Sequence, residues 1–194
     1  MTQDSSKPGF WETRYANKVM PWDAGKVPRA LLDFVPALKE GTRVLVPGCG
    51  SAYEARYMAE HGLDVLAIDF SPAAVEEAKK HLGRFSSIVQ LKDFFEFDFA
   101  VPFDVVYERA FLCALPPSMW DRYAARMTQI VKPGGLLAGF FFIAGAPRGP
   151  PFGVSKERLD ELLAPNFEPM ADREVHNSIA VFEGKERWQE WRRR

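Results

Sequence analysis

The stretch Arg43-Val-Leu-Val-Pro-Gly-Cys-Gly-Ser-Ala-Tyr-Glu54 constrains the chain more than any other. Arg43 to Val46 is a short aliphatic, β-branched run of the kind that forms a buried strand. Pro47-Gly48-Cys49-Gly50 cannot extend it. Ser51 with Glu54 three residues later has the pattern of a capping box, so the spacing predicts a helix from here to about His61, stopped by Gly62. A strand, a glycine turn and a helix start together make a place where a ligand can touch bare backbone.

A second apolar strand is expected over Asp64 to Ile68, and Asp69 follows it, nineteen residues after Gly50. A carboxylate at that strand tip is placed to accept hydrogen bonds from ribose hydroxyls. The turn holds only Gly48 and Gly50, and Ser51, Ala52 and Tyr53 come next. The third glycine of a dinucleotide fingerprint, which permits close packing under a pyrophosphate, is missing. The pattern argues against NAD and for a nucleoside without phosphate, such as S-adenosylmethionine. The competing reading is a tight βαβ unit with no ligand.

At 194 residues and 47% hydrophobic, the chain suits one domain with a sizeable core, which we take as 1–194. Within it, 1–40 is expected to form an N-terminal lid and helix and 41–194 the core. A net charge of −1 implies no attraction to nucleic acid or membrane. Two cysteines, Cys49 and Cys113, give neither a disulfide framework nor zinc spacing. Met1 to Pro8 has no apolar leader, and the longest apolar run, Leu136 to Ala146, is too short to span a bilayer. The expectation is a soluble, cytoplasmic monomer without a metal.

Met1 to Gly9 is polar and expected to be disordered. Phe10-Trp11-Glu12-Thr13-Arg14-Tyr15 then places Trp11 and Tyr15 on one helical face, and a turn carries Trp22. These aromatics either pack on the sheet or close over a ligand, with their faces toward a sulfonium cation. Further helices are expected over Val27 to Leu38, over Pro72 to Leu82 behind the N-cap Ser71, over Met119 to Val131 and from Ser155 to Ala164. Further strands are expected at Ser86 to Leu91, Asp104 to Glu108, Leu136 to Ile143, Phe167 to Glu174 and Asn177 to Phe182. Gly145 to Gly153 is a proline-glycine loop, and the tail Lys185 to Arg194, with Trp188 and Trp191 three apart, reads as a packed terminal helix. Strands alternating with helices imply an α/β fold with a mixed, seven-stranded, mostly parallel sheet flanked by helices, with one antiparallel strand at an edge.

The residues quoted so far resemble a Rossmann-like class I S-adenosylmethionine-dependent methyltransferase. More narrowly, the chain resembles the thiopurine methyltransferase family, which includes halide and thiol methyltransferases. The resemblance spans nearly the whole chain. It rests on Phe10-Trp11-Glu12 with Tyr15, Trp22-Asp23, Val44-Leu-Val-Pro-Gly-Cys-Gly50, Leu66-Ala-Ile-Asp-Phe-Ser71, Glu108-Arg109, Lys132-Pro-Gly-Gly135, Gly149-Pro-Pro-Phe152 and Gly184-Lys-Glu-Arg-Trp188. It implies S-adenosylmethionine as cofactor, S-adenosylhomocysteine as product, and cofactor contacts from Trp11, Tyr15, Trp22, Gly48, Asp69, Asp93, Phe94 and Arg109. Cys49 and Gly50 in the turn and Phe70 after Asp69 complete the candidate set. Glu108-Arg109 stands where the halide and thiol branch tends to have Asp-Tyr and the thiopurine branch Asp-Arg, while Trp22-Asp23 and Gly184-Lys-Glu-Arg187 look like the halide and thiol branch.

Methyl transfer from a sulfonium is an in-line displacement that needs position and orientation more than acid or base. Phe111, Leu112, Phe140 and Phe152 are candidates to line a dry pocket for a thiol, thiopurine, thiocyanate, halide or other chalcogen, with a core role as the alternative for Phe140. Arg109 either attracts an anionic acceptor or pairs with Glu108 or another neighbour. No residue is assigned as a base. His61 and His81 read as helix ends, and His176 is a candidate to face the acceptor. Two other functions fit the same residues: oxygen or nitrogen methylation of a small metabolite, and non-catalytic binding of the nucleoside.

Overall fold

A computed structural model describes residues 4–145 and 148–194. In chain order its elements are α1 (Pro8–Ala16), α2 (Arg29–Phe34), β1 (Arg43–Pro47), α3 (Tyr53–Glu60), β2 (Asp64–Asp69), α4 (Pro72–Leu82) and β3 (Val89–Leu91). There follow β4 (Phe103–Arg109), α5 (Trp120–Ile130), β5 (Val131–Phe142), α6 (Lys156–Leu163), β6 (Phe167–Glu174) and β7 (Glu186–Arg193). The seven strands make a mixed, mostly parallel sheet with flanking helices, as expected. The chain divides into two units, one ending at Phe97 and one beginning at Asp98.

In the first unit the strand order is β3-β2-β1, all parallel, with Val44 opposite Val65 and Asp69 opposite Leu91. Val44, Leu45, Ala67 and Ile68 are buried, as an unbroken apolar run requires when both faces of a parallel sheet are covered. At the start of α4 the Ser71 hydroxyl accepts from the Ala74 N–H at 3.3 Å and Pro72 occupies the first turn. Ala74, Val75, Ala78 and Leu82 form the buried face of that helix, and Gly83 at φ 54° ends it.

Four local expectations change in this unit. The Ser51 capping box does not form: α3 starts at Tyr53 behind Ala52, which sits at φ 58° and makes no side-chain cap. The Ser51 hydroxyl instead donates to Asp23. The helix expected over Val27 to Leu38 is only α2 and a 3-10 turn, Val35–Ala37, because Pro36 has no N–H to continue the helical ladder. The third strand starts at Val89, not Ser86, because Gly83–Ile88 is 3-10. Of the segment expected to be disordered, residues 1–3 lie outside the described residues, and α1 begins at Pro8, whose ring pre-sets the helical φ.

In the second unit the order is β4-β5-β7-β6. β4 and β5 are parallel, and β7 runs antiparallel to both β5 and β6. The antiparallel strand is thus internal, and β6 holds the edge. The tail expected as a helix is this strand, and Asn177 to Phe182, expected as a strand, is turn. Trp188 and Trp191 are both buried because β7 has a neighbour on each side and packed faces above and below. Its charges are met across the strands: Arg187 pairs with Asp172 at 2.5 Å and Glu190 with Arg173 at 2.6 Å. Ser155 caps α6 by accepting from the Arg158 N–H at 3.1 Å, as expected. Ala146 and Pro147, in the proline-glycine loop and at the end of the long apolar run, lie outside the described residues. Among the described residues no helix is long and apolar enough to cross a membrane.

Gly139 on β5 faces β4 so closely that a Cβ there would stand 1.9 Å from the Glu108 carbonyl oxygen, and its φ is +151°. Gly139→Ala must part the two strands. Overpacking of this severity should cost about 3 kcal/mol or more, lowering Tm by roughly 6–12 °C in a calorimetric scan.

Candidate active site

The first unit gathers the glycine turn, the second strand tip and the N-terminal aromatics. The Cys49 N–H donates to the Ile68 carbonyl at 3.0 Å, which ties the turn to β2. Gly48 and Gly50 sit at φ 58° and 51°, a conformation glycine adopts without strain. Asp69 is buried. Its Oδ2 accepts from the Gly50 N–H at 3.2 Å and its Oδ1 from the Ser71 N–H at 2.9 Å. Burial pushes the Asp69 carboxyl up to about 6, against the pull of backbone N–H groups of Ser71, Gly50 and Phe70. Lys92 donates its N–H to the Asp69 carbonyl at 2.9 Å, which brings the Asp93-Phe94 corner in behind β2. Phe94 is buried, Phe70 half-buried, and the Asp93 carboxylate is turned on its own corner, accepting from the Phe95 N–H at 2.7 Å.

The N-terminal segment is fastened to this turn. Trp22 meets Trp11 edge to face at 5.2 Å between ring centres and Tyr15 at 6.2 Å. A Cβ on Gly50 would stand 3.2 Å from the Tyr15 hydroxyl oxygen. Burial, and secondarily the Asp69 charge, push the Tyr15 phenol far up, so it stays protonated. Glu12 reaches the start of α4, where its carboxylate accepts from the Ser71 hydroxyl at 2.6 Å and the Ala73 N–H at 3.4 Å. An anion at that helix N-terminus is favoured by the exposed N–H groups. With the Ser51–Asp23 bond, this makes two side-chain ties from the segment to the core. Neither was foreseen, although Glu12 and Asp23 both stand in motifs that carry the family resemblance.

The second unit holds the remaining candidates. Ala110 at φ 56° turns the chain sharply after β4, so that the Phe111 and Leu112 N–H groups fold back onto Glu108. Glu108 is 1% exposed. Its Oε1 accepts from those two N–H groups at 2.8 and 3.0 Å, and its Oε2 from the Tyr123 hydroxyl at 2.7 Å. Burial pushes the Glu108 carboxyl up to about 7, and the Tyr123, Leu112 and Phe111 hydrogen bonds restrain it. With both oxygens occupied, Glu108 anchors a loop and is badly placed to take a proton from a substrate. The Arg109 charge lies near enough to Glu108 to help hold its carboxyl down. Its guanidinium donates to Glu186 at 2.5 Å and lies 4.4 Å from the Phe140 ring centre and 5.7 Å from that of Phe182. Leu112 and Cys113 are buried, and burial pushes the Cys113 thiol far up, out of nucleophile range. Phe111 is half-buried beside Tyr123. Phe152 is half-buried too, and its N–H donates to the Cys113 carbonyl at 2.7 Å, which ties the proline-glycine loop to the loop after β4. Phe140 is a core residue. Among the described residues no cluster of His, Cys, Asp and Glu could hold a metal ion.

The fold is that of the Rossmann-like class I methyltransferases. The Burkholderia thailandensis 1,6-didemethyltoxoflavin-N1-methyltransferase, solved with 1,6-didemethyltoxoflavin and S-adenosylhomocysteine, superposes with a TM-score of 0.77 at 21% identity, over 96% of this chain and 86% of that one. The sequence profile of the thiopurine S-methyltransferase family matches residues 6–194, and the chain belongs to that family of methyltransferases. Probable thiol methyltransferase 2 of Arabidopsis thaliana is 32% identical over 204 residues, covering 100% of this chain and 88% of the relative. A thiopurine S-methyltransferase of Shewanella loihica is 30% identical over 185 residues, with 84% of each chain covered.

The Glu108 carboxyl is raised from an ordinary 4.5 to about 7, so the folded state holds a proton that the unfolded chain has lost between those values. Stability contributed by the neutral carboxyl is therefore present in acid and lost as pH rises through that window. Urea denaturation at pH 5 and pH 8 should show a loss of up to about 3 kcal/mol in the wild type. Glu108→Gln should lose clearly less, the remainder reporting Asp69, which shifts in the same direction.

Proposed function

We propose that the chain transfers a methyl group from S-adenosylmethionine to a small soft nucleophile, a thiol or thiol-like anion, acting as one methyltransferase domain. The observation that supports the acceptor class best is Glu108: its two oxygens are filled by three donors, so the carboxylate that precedes the loop Phe111–Leu115 is engaged as an anchor. A carboxylate so engaged is badly placed to serve an acceptor that must lose a proton to an enzyme base. A thiol that ionises in solution needs none. Two unpaired, buried thiols, Cys49 and Cys113, suit a reducing, cytoplasmic setting.

The cofactor is assigned to the first unit. Asp69 accepts one N–H on each oxygen and remains raised to about 6, so further donors such as ribose hydroxyls would stabilise its charge. The Gly48-Cys49-Gly50 backbone and Phe70 flank it, and Asp93 with Phe94 stands at the next corner. Trp11, Tyr15 and Trp22 present aromatic faces and edges suited to a sulfonium. Bound there, S-adenosylmethionine supplies a methyl group already activated by positive charge. The chain's own residues hold, orient and exclude water, which can lower a barrier by roughly 7–11 kcal/mol in good cases. The acceptor is assigned to the loop after β4, where Phe111, Leu112 and Phe152 offer apolar surface and Arg109, its charge met by Glu186, offers N–H groups. Arabidopsis and Shewanella relatives named for thiol and thiopurine methylation support the same acceptor class.

Asp69→Asn should weaken S-adenosylmethionine binding by about 1.5–3 kcal/mol in calorimetry, the range for a hydrogen bond to a charged group. An unchanged Kd in the folded variant removes Asp69 from the cofactor site. The reaction itself is tested with thiols of graded acidity. Rates should rise with pH along each acceptor's own ionisation, near 8.5 for a cysteine-like thiol. A profile that stays fixed while the acceptor changes would point to an enzyme base and to oxygen or nitrogen methylation.

A further inference from the structure

Residues 4–25 lie against the glycine turn and the start of α4 with little apolar anchorage. Among the described residues of this segment Phe10 is the one buried apolar side chain, while Trp11, Tyr15 and Trp22 are half-buried. Apolar burial of that size does not by itself offset the entropy of ordering the segment. Polar ties complete the docking. The Glu12 carboxylate accepts from the Ser71 hydroxyl at 2.6 Å and the Ala73 N–H at 3.4 Å. Asp23 accepts from the Ser51 hydroxyl through Oδ2, and through Oδ1 from the Gly25 N–H at 2.7 Å, which stiffens its own turn. The two serines stand at the two hydrogen bonds of Asp69. Ser71 gives its N–H to Asp69 Oδ1, and Ser51 follows Gly50, whose N–H goes to Oδ2. Both serines are buried, so a hydroxyl that loses its carboxylate has little water to replace it. The ties are releasable, because Glu12 stands close enough to Asp69 for the two charges to repel.

We propose that Glu12 and Asp23 are positioning residues that latch this segment over the bound cofactor, and that breaking their ties to Ser71 and Ser51 sets the rate at which S-adenosylhomocysteine leaves. The proposal rests on the cofactor assignment above and deepens it: the aromatics form the wall, and two carboxylates decide how long it stays closed. Neither carboxylate needs to touch the cofactor, since each acts through a serine. Glu12 shares α1 with Trp11 and Tyr15, and Asp23 follows Trp22 directly, so each tie holds one part of the cluster. The parts also hold each other. Trp22 meets Trp11 and Tyr15 edge to face, and its side chain hydrogen-bonds the Tyr15 phenol. The aromatics therefore lift as one piece, which requires both ties to break.

The test uses the full chain, S-adenosylhomocysteine as the probe and two readouts. Stopped-flow tryptophan fluorescence, to which Trp11 and Trp22 contribute, gives association and dissociation rates. Trypsin cleavage after Lys18, exposed between the two ties, reports opening of the segment without ligand. Ser51→Ala removes one tie without removing a helix cap, since α3 starts behind Ala52. Glu12→Ala removes the other. Each variant should release S-adenosylhomocysteine about tenfold faster or more, with the association rate within about threefold of wild type. Cleavage after Lys18 should rise in both. Ser51→Thr keeps the hydroxyl and should restore wild-type release, which a general loosening of the fold does not explain. Should Glu12→Ala fail to fold, Glu12→Gln, which keeps an acceptor oxygen but no charge, takes its place and must still release faster than wild type. Binding by the wild type with unchanged release from the folded variants overturns the latch, whether or not cleavage rises, and leaves the cofactor assignment standing. Absence of S-adenosylhomocysteine binding by the wild type overturns that assignment and the latch with it.

Discussion

Buried Asp69 joins parts of the first unit that lie far apart in sequence. It accepts from the turn after β1 through Gly50 and from the start of α4 through Ser71, and its own carbonyl receives the Lys92 N–H after β3. Three connections that lie far apart in sequence are thereby fixed against one group. The backbone bonds do not fully offset the loss of water: burial still raises the carboxyl to about 6. A group in that position is stabilised by any further donor, which is why a scaffold interaction and a ribose-binding assignment fall on the same residue.

Glu108 and Glu186 are the second unit's versions of the same problem, solved to different degrees. Glu108 is saturated by two N–H groups and a phenol, and in exchange it sets the course of the loop Phe111–Leu115. Glu186 is paired with Arg109 through one oxygen, and the Ser178 hydroxyl also helps hold its carboxyl down against burial. Of the two roles open to Arg109 in the sequence, a draw for an anionic acceptor or an ion pair with a neighbour, the structure has the ion pair, with Glu186, flanked by aromatic rings.

The N-terminal segment shows how such ties reach across the chain. Glu12 adds a carboxylate to the N-terminus of α4, and Asp23 takes the hydroxyl that local pattern had given to a capping box. Both ties are short polar contacts at part-buried sites, and they press the Trp11, Tyr15 and Trp22 cluster onto the glycine turn. The arrangement leaves the same aromatics serving as packing and as a candidate cofactor wall.

What the sequence by itself determined was whatever depends on near neighbours. The apolar run into Pro47-Gly48, the acid at the second strand tip, Ser71-Pro72 and Ser155 as helix starts and the strand–helix alternation all act within a few residues, so their outcome is set before the chain folds. The family resemblance drew on the same short motifs. Tertiary structure alone decided the rest. Ser51 had two partners available, and Asp23, distant in sequence, won over its own helix. The tail from Lys185 has aromatic spacing that fits a helix, yet β5 and β6 each offer an open row of backbone groups, and pairing with both buries Trp188 and Trp191 on opposite faces. That Arg109 meets a carboxylate depends on two residues seventy-seven positions apart lying at 2.5 Å, which no local pattern encodes.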